Sequence, residues 1–452
     1  MKAAVFEGSK GKLELREVKV PSIGDDEALL RVAYTGLCQT DVKKIEHNLL
    51  GIRNSDPRVF GHEIVGEVAS VGREVKTVSI GDRIALFHHV PCENCIPCSE
   101  QEYTQCETYK TVDTDAGYGR ASGGGFAEYV RIPSLVLAKG IIPLPEEISF
   151  EEAVFIEPVN CALKAVHTFD RYNPLQIDEP VLIVGQGHQG LIFDQLISLN
   201  GGKPIATDKR KSRVKRANQF ANAFHSKEIQ SLADEMGGFG KAIISAADSK
   251  AIDFALKMMR TGGVAIYFGD LMPGNEYWSY HSRHEIPVEV DGKLVIPSYS
   301  SSFQLHQEAA DLIFDRKIDL SSMITQKISL SDLEAGLGGA VKGFLRKGFR
   351  TEEVMKILVD PGMEKHQGYS TPSWTDFFVP AAGLAGLALI VSIGVLHHLK
   401  FSDCETVNPG NGTQSYICPA PRDCGHLKSW EGEREEITRD GKKVCTYWVG
   451  GN

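Results

Sequence analysis

The stretch Val181-Leu182-Ile183-Val184-Gly185-Gln186-Gly187-His188-Gln189-Gly190 decides how this chain is read. Four apolar residues, three of them β-branched, read as a buried strand. A G-x-G-x-x-G turn follows, and Leu191–Leu199 then has helical spacing. Glycines there permit a tight turn and let backbone N–H groups meet a pyrophosphate at the helix N-terminus. A lone G-x-G-x-x-G is weak, but the strand–turn–helix context is what a dinucleotide needs. Ile205–Asp208 reads as the next strand, and Asp208 ends it, 18 residues past Gly190. A carboxylate at that place binds the ribose hydroxyls of NAD and repels a 2′-phosphate. Lys209 and Arg210 follow directly and leave some room for NADP.

Outward from this stretch the texture differs on the two sides. Ala242–Ala246 and Gly263–Gly269 read as further buried strands, and strand–helix alternation of this kind belongs to a parallel sheet. The dinucleotide-binding domain is placed at 151–295, entered through a helix at Glu151–Phe169. Residues 1–150 are β-rich instead, with Lys2–Glu7, Ala28–Tyr34 and Ile64–Val71 bounded by turn residues. Later, a strand at Leu294–Ser302 leads into a helix at Phe303–Asp315. The fold class is α/β.

With 42% apolar and 24% charged residues over 452 positions, a disordered or fibrous chain is excluded. A net charge of −10 and a pI near 5.8 argue against a nucleic-acid partner. The ten cysteines fall into two groups, six up to Cys161 and four from Cys404, which points to two different roles.

Within the first group, Cys92-x2-Cys95-x2-Cys98-x7-Cys106 places four thiolates in 15 residues. Zn²⁺ takes four soft donors in a tetrahedron, and a loop this short supplies them without a core. A closed four-cysteine site has no open position, so its expected role is structural. A second set is dispersed: Cys38 in Gly36–Asp41, His62 and Glu63 in Gly61–Gly66, and Glu157 before Pro158. Cysteine, histidine and a carboxylate make the three-ligand count of a catalytic zinc, whose fourth position is left for water or substrate.

In that order and spacing, and with Gly124-Gly125-Phe126-Ala127-Glu128-Tyr129 between them, these motifs resemble the zinc-containing medium-chain alcohol dehydrogenases over residues 1–359. Glu157-Pro158 points to the polyol and threonine dehydrogenase branch. Arg213 matches an arginine that flanks the adenosine ribose in sorbitol dehydrogenases. The resemblance implies a GroES-like β-rich catalytic domain, residues 1–150 and 296–359, split around a Rossmann domain, with the active site in the cleft between them. It implies a catalytic zinc held by Cys38, His62 and a glutamate, either Glu63 or Glu157, directly or through water. It further implies a structural zinc on Cys92, Cys95, Cys98 and Cys106, hence two zinc ions per chain. NAD, rather than NADP, would lie on Gly185, Gly187, Gly190, Asp208 and Arg213. Thr40 would pass a substrate proton outward, Glu63 would act beside it, and Asp41 would orient His62. The implied reaction is hydride removal from a secondary alcohol, polyol or related hydroxyl compound, in a homo-oligomer.

Two positions depart from the family. Lys43 stands where many relatives carry a relay histidine, and Ser298 stands where sorbitol dehydrogenases carry an arginine before tyrosine. Those departures motivate an alternative, a membrane-anchored nucleotide-binding scaffold or sensor with little turnover; the complete ligand set favours the enzyme. Cys161 is expected to be a packed thiol rather than a rival zinc ligand, and His188 an exposed residue at a helix start rather than a contact to the pyrophosphate.

Beyond Val359, the turn Asp360-Pro361-Gly362 and a polar stretch make 360–376 a linker. Phe377–Leu396 is 20 residues without a charge. As a helix it would span about 30 Å, the thickness of a bilayer's hydrocarbon core. It is expected to cross the membrane once. No apolar signal core follows Met1, and NAD and zinc thiolates belong in the cytosol. The dehydrogenase is therefore expected to face the cytoplasm, with the tail 397–452 on the opposite side. There Cys404, Cys418, Cys424 and Cys445 are expected to form two disulfides rather than a second zinc site with His426, since their spacing fits no common zinc module. Asp440-Gly441 marks a hairpin.

Overall fold

The computed structural model describes residues 1–7, 12–47, 56–87, 90–101, 103–106, 108, 114–117, 123–246, 249–269, 285–338 and 354–364, and four strands between 405 and 449. The chain divides into two compact units, 1–366 and 367–452.

The first unit opens with β1 (Lys2–Glu7), β2 (Lys12–Glu17), β3 (Ala28–Leu37), β4 (Arg58–Val59), β5 (Glu63–Val71), β6 (Arg83–Leu86), β7 (Tyr129–Ile132) and β8 (Ile141–Pro143). A parallel array follows: β9 (Pro180–Val184), β10 (Lys203–Asp208), β11 (Asn222–His225), β12 (Phe239–Ile244) and β13 (Met259–Phe268). The antiparallel pair β14 (Val288–Val290) and β15 (Lys293–Ser298) completes it. Strands β16 (Ile324–Ser329) and β17 (Lys356–Asp360) then leave that array and join the first half of the unit. They form the sheet β16-β17-β3-β5-β6-β8, with β7 also on β3. Strands β2-β1-β4 form a small sheet of their own; of the two large sheets, the chain starts the β-rich one, builds a second, and returns to finish the first.

The second sheet runs β11-β10-β9-β12-β13-β15-β14. Its first six strands are parallel, in the order of a dinucleotide-binding fold, whose switch point lies between its first and fourth strands. Here those strands are β9 and β12. Both faces of β9 are buried, which is why its sequence is a continuous apolar run rather than an alternating one. Val181 and Ile183 pack with Val159, Leu163, Leu191 and Phe193 from one pair of helices. Leu182 and Val184 pack with Ile229, Ile252 and Leu256 on the other face. Each such side chain contributes roughly 1.5–3 kcal/mol when fully buried.

Several element boundaries differ from the sequence expectation, among them the entry helix expected at Glu151–Phe169, which is a short helix at Phe150–Ala153 followed by a longer one at Ile156–Tyr172. The helix after the glycine loop begins at His188 rather than Leu191, because Gly187 already takes the N-cap position. The strand expected at Leu294–Ser302 stops at Ser298, and Ser300 has φ 62°, outside strand geometry. The helix expected from Phe303 starts as a 3₁₀ turn, Phe303–Leu305, and becomes α-helical at His306–Phe314.

The second unit contains β18 (Glu405–Val407), β19 (Gln414–Pro419), β20 (Arg434–Arg439) and β21 (Lys442–Val449), all antiparallel in the order β18-β19-β21-β20. The strands expected on either side of Asp440-Gly441 do pair, with Arg439 opposite Lys442. The register sets Cys418 opposite Cys445. Cys404, Cys424 and the run Phe377–Leu396 lie outside the described residues. Among the described residues, no helix is long and apolar enough to cross a membrane.

Candidate active site

Strand β3 ends at Leu37 and α1 (Gln39–His47) starts two residues later, so Cys38 sits at the junction. Strand β5 begins at Glu63 and runs antiparallel to β3, with Glu63 opposite Gly36. That register brings two motifs distant in sequence side by side. The Cys38 thiol, the His62 ring and the Glu63 carboxylate each place a ligand atom within 4.8 Å of the others. Thr40 is half-buried in the first turn of α1.

Asp41 is buried beneath this group. Its Oδ2 accepts the Cys38 N–H at 3.3 Å, and its Oδ1 lies 3.2 Å from His62 Nδ1. Burial alone would raise the Asp41 carboxyl; the His62 ring beside it carries it below its ordinary value instead. Burial would likewise lower the His62 imidazole, but Asp41 and then Cys38 hold it well above its usual value. A histidine that donates from Nδ1 to a carboxylate presents Nε2 to a metal, the usual arrangement behind zinc-binding histidines.

The two candidate glutamates are held differently. Glu63 is 2% exposed, and Lys356 Nζ sits against its Oε2 as an ion pair inside the protein. Burial pushes the Glu63 carboxyl above its ordinary range even with Lys356 there, and the charge of Glu157 adds to the rise. Burial would lower the Lys356 ammonium, but Glu63 and Cys38 carry it above its usual value. Glu157 stands in the first turn of α2 (Ile156–Tyr172), outside the three-residue group; its Oε1 accepts from the Cys161 thiol at 3.2 Å. Cys161 is 8% exposed, and burial, with Glu157 next, pushes its thiol well above the usual cysteine value. It is a packed thiol, as the sequence leads one to expect.

Cys92, Cys95, Cys98 and Cys106 also converge within 4.8 Å. Their Sγ separations are 3.4 Å for Cys95–Cys98, 3.6 Å for Cys92–Cys106 and 3.9 Å for Cys92–Cys98. Zinc–sulfur bonds of about 2.3 Å in a tetrahedron give sulfur spacings of about 3.8 Å, so the residues fit the ion. Burial and the neighbouring thiols push Cys98 up to about 12, and only a bound cation lets four thiolates share such a volume.

The nucleotide loop lies at the carboxyl end of β9. Gly185 has φ +97°, the left-handed turn that glycine tolerates. A Cβ at Gly190 would lie 2.1 Å from the Gly185 carbonyl oxygen, so only glycine lets α3 (His188–Leu199) pack this closely on the loop. A Cβ on Gly187 would meet nothing nearer than Arg213 Nη1 at 3.7 Å, which leaves that face open to a pyrophosphate. Asp208, at the end of β10, accepts the Gln186 N–H at 2.8 Å and the Arg210 N–H at 2.9 Å, with Arg213 Nη1 3.8 Å away. The same carboxylate ties the glycine loop to the end of β10.

One expectation is corrected here. His188 is not exposed. It is packed against the catalytic half of the unit and hydrogen-bonds the Met355 backbone, and burial, with the charge of Lys356 next, pushes its imidazole well below the usual value. Arg213 Nη2 donates to the carbonyl of Val354 at 3.5 Å. Three consecutive residues, Val354, Met355 and Lys356, therefore touch Arg213, His188 and Glu63 in turn. The sequence reading missed Lys356, although a single charge inside Val354-Met355-Lys356-Ile357-Leu358-Val359 was its visible signal. Ser298 is buried at the end of β15; Tyr299 next to it donates its N–H to Glu285, which pairs with Lys164.

Comparison with known proteins agrees with this geometry. Residues 24–146 match the alcohol dehydrogenase GroES-like domain. An alcohol dehydrogenase from Geobacillus stearothermophilus is 28% identical over 355 residues, 76% of this chain and 98% of that enzyme. The L-threonine 3-dehydrogenase of Pyrococcus horikoshii is 30% identical over 272 residues, 58% of this chain and 73% of that enzyme. In fold, the crystal structure of galactitol-1-phosphate dehydrogenase from Escherichia coli matches with a TM-score of 0.61 at 23% identity, over 80% of this chain and all of that one. The chain belongs to the zinc-type medium-chain alcohol and polyol dehydrogenase family.

Proposed function

We propose that the chain oxidises a secondary alcohol, polyol or related hydroxyl compound by hydride transfer to NAD⁺. The observation that carries this reading is the segment Val354–Lys356, which touches the nucleotide loop at His188 and the metal group at Glu63. Metal and nucleotide positions thus share one cleft. Bound there, zinc supplies Lewis acidity toward the substrate hydroxyl, and NAD⁺ supplies the hydride acceptor.

The residues of the chain do the rest. Cys38, His62 and Glu63 hold the metal, and Asp41 fixes the His62 ring so that Nε2 faces it. Glu157, held by Cys161, stands by as a second carboxylate. The Thr40 hydroxyl, two residues past Cys38, takes the substrate proton and passes it outward. The open face of Gly187 receives the pyrophosphate, and Asp208 binds the ribose hydroxyls and disfavours a 2′-phosphate. Family membership also supports a homo-oligomer.

The apolar length of Phe377–Leu396 supports a single membrane anchor, with the dehydrogenase facing the cytoplasm and the tail on the opposite side. Cys418 opposite Cys445 in the tail register supports one of the two disulfides expected there.

The catalytic reading is tested by metal analysis and a screen of alcohols and polyols with NAD⁺, followed at the NADH absorbance. Two zinc ions per chain and substrate-dependent NADH are expected, and Cys38→Ser should remove both turnover and one zinc. A protein with fewer than two zincs, or an active Cys38→Ser variant, would overturn it.

A further inference from the structure

Lys356 has a fully buried side chain, and an unpaired ammonium in such a place is costly. Its partner is Glu63, a member of the metal group. The contact depends on Gly36, on the adjoining strand: a Cβ there would lie 1.7 Å from Glu63 Oε2 and 2.9 Å from Lys356 Cε. Three strands thus leave room for one lysine–glutamate contact beside Cys38. Charge bookkeeping gives it a purpose. Zinc, the Cys38 thiolate and the Glu63 carboxylate sum to neutral; Asp41 and Glu157 add two negative charges, and Lys356 offsets one of them.

Resting on the zinc reading above, we infer that Lys356 is a positioning residue that competes with the metal for one Glu63 oxygen. Its pull limits how tightly Glu63 holds the zinc and keeps that ligand free to yield to water or substrate. Lys356 itself touches neither metal nor substrate. Val354 and Met355, immediately before it, rest on Arg213 and His188. The lysine is therefore anchored on the nucleotide side of the cleft.

The test uses the full zinc-loaded chain, challenged with an excess of a chromophoric zinc chelator. Two release phases are expected, and Cys98→Ser identifies the one that belongs to the four-cysteine lobe. Lys356→Met should slow release from the Cys38 site about tenfold, within the coupling range of contacting residues. The lobe phase should be unchanged, and Lys356→Arg should keep the wild-type rate. In a Glu63→Gln background the same substitution should change nothing further. Unchanged or faster release from the Cys38 site in Lys356→Met, or an equal effect without Glu63, overturns the role of Lys356. Should Lys356→Met fail to fold, Lys356→Gln takes its place with the same expectation. A wild-type chain that releases zinc from the lobe alone would instead refute the zinc reading itself.

Discussion

At the scale of single residues, the site is built from groups whose burial would be unfavourable alone. Asp41 is fully buried and stays ionised because His62 and the Cys38 N–H meet its two oxygens. Asp194 shows the opposite case. It lies buried in α3, its nearest polar partner is Gln186 Nε2 at 3.4 Å, and burial pushes its carboxyl well above the usual range. The sign of its effect on stability follows. Below the unfolded-state value, about 3.9, both states are protonated and the group contributes nothing. As pH rises beyond that, the unfolded chain ionises while the native carboxyl stays neutral, so stability falls until the native value is passed. Asp194→Asn should therefore raise the melting temperature at pH 8, with the gap closing toward pH 4. Equal melting temperatures at pH 8 would show that the native carboxyl finds a charge partner.

Whole elements impose stricter demands. The glycine loop works because α3 starts against the end of β9 with no side chain between them. Gly190→Ala must displace the loop carbonyl by an amount no side-chain rotation can absorb. It should cost roughly 1–3 kcal/mol of stability, as overpacking does elsewhere, and raise the NAD⁺ dissociation constant. Calorimetric titration with NAD⁺ and a melting curve check both; unchanged binding would place the pyrophosphate elsewhere. The lobe around Cys98 was legible because all four of its cysteines lie on one short loop, where spacing alone limits the geometry. Which glutamate joins Cys38 and His62 was not legible. Glu63 and Glu157 are equivalent on paper; the β3–β5 register and the Cys161 contact separate them.

Across the whole molecule, the chain interleaves two sheets and then adds a tail unit. The interleaving matters for function, because β17 belongs to the first sheet yet its N-terminal end lies on the nucleotide loop of the second. The tail gives a prediction of its own. Full-length protein in cells should sediment with membranes and resist alkaline carbonate extraction, whereas a chain ending at His366 should be released to the supernatant. Recovery of the full-length protein in the supernatant would remove the anchor. That truncation follows the boundary between the two compact units.

The sequence by itself determined the class of fold, the nucleotide loop, the four-cysteine lobe and the family, because each is written in local spacing or a continuous apolar run. Tertiary structure alone decided which glutamate stands with Cys38 and His62, that His188 packs on the Met355 backbone, and that Lys356 belongs to the site. Each depends on strand registers and packing between segments far apart in the chain. A buried charge shows its meaning only when the partner that offsets its desolvation has been brought beside it.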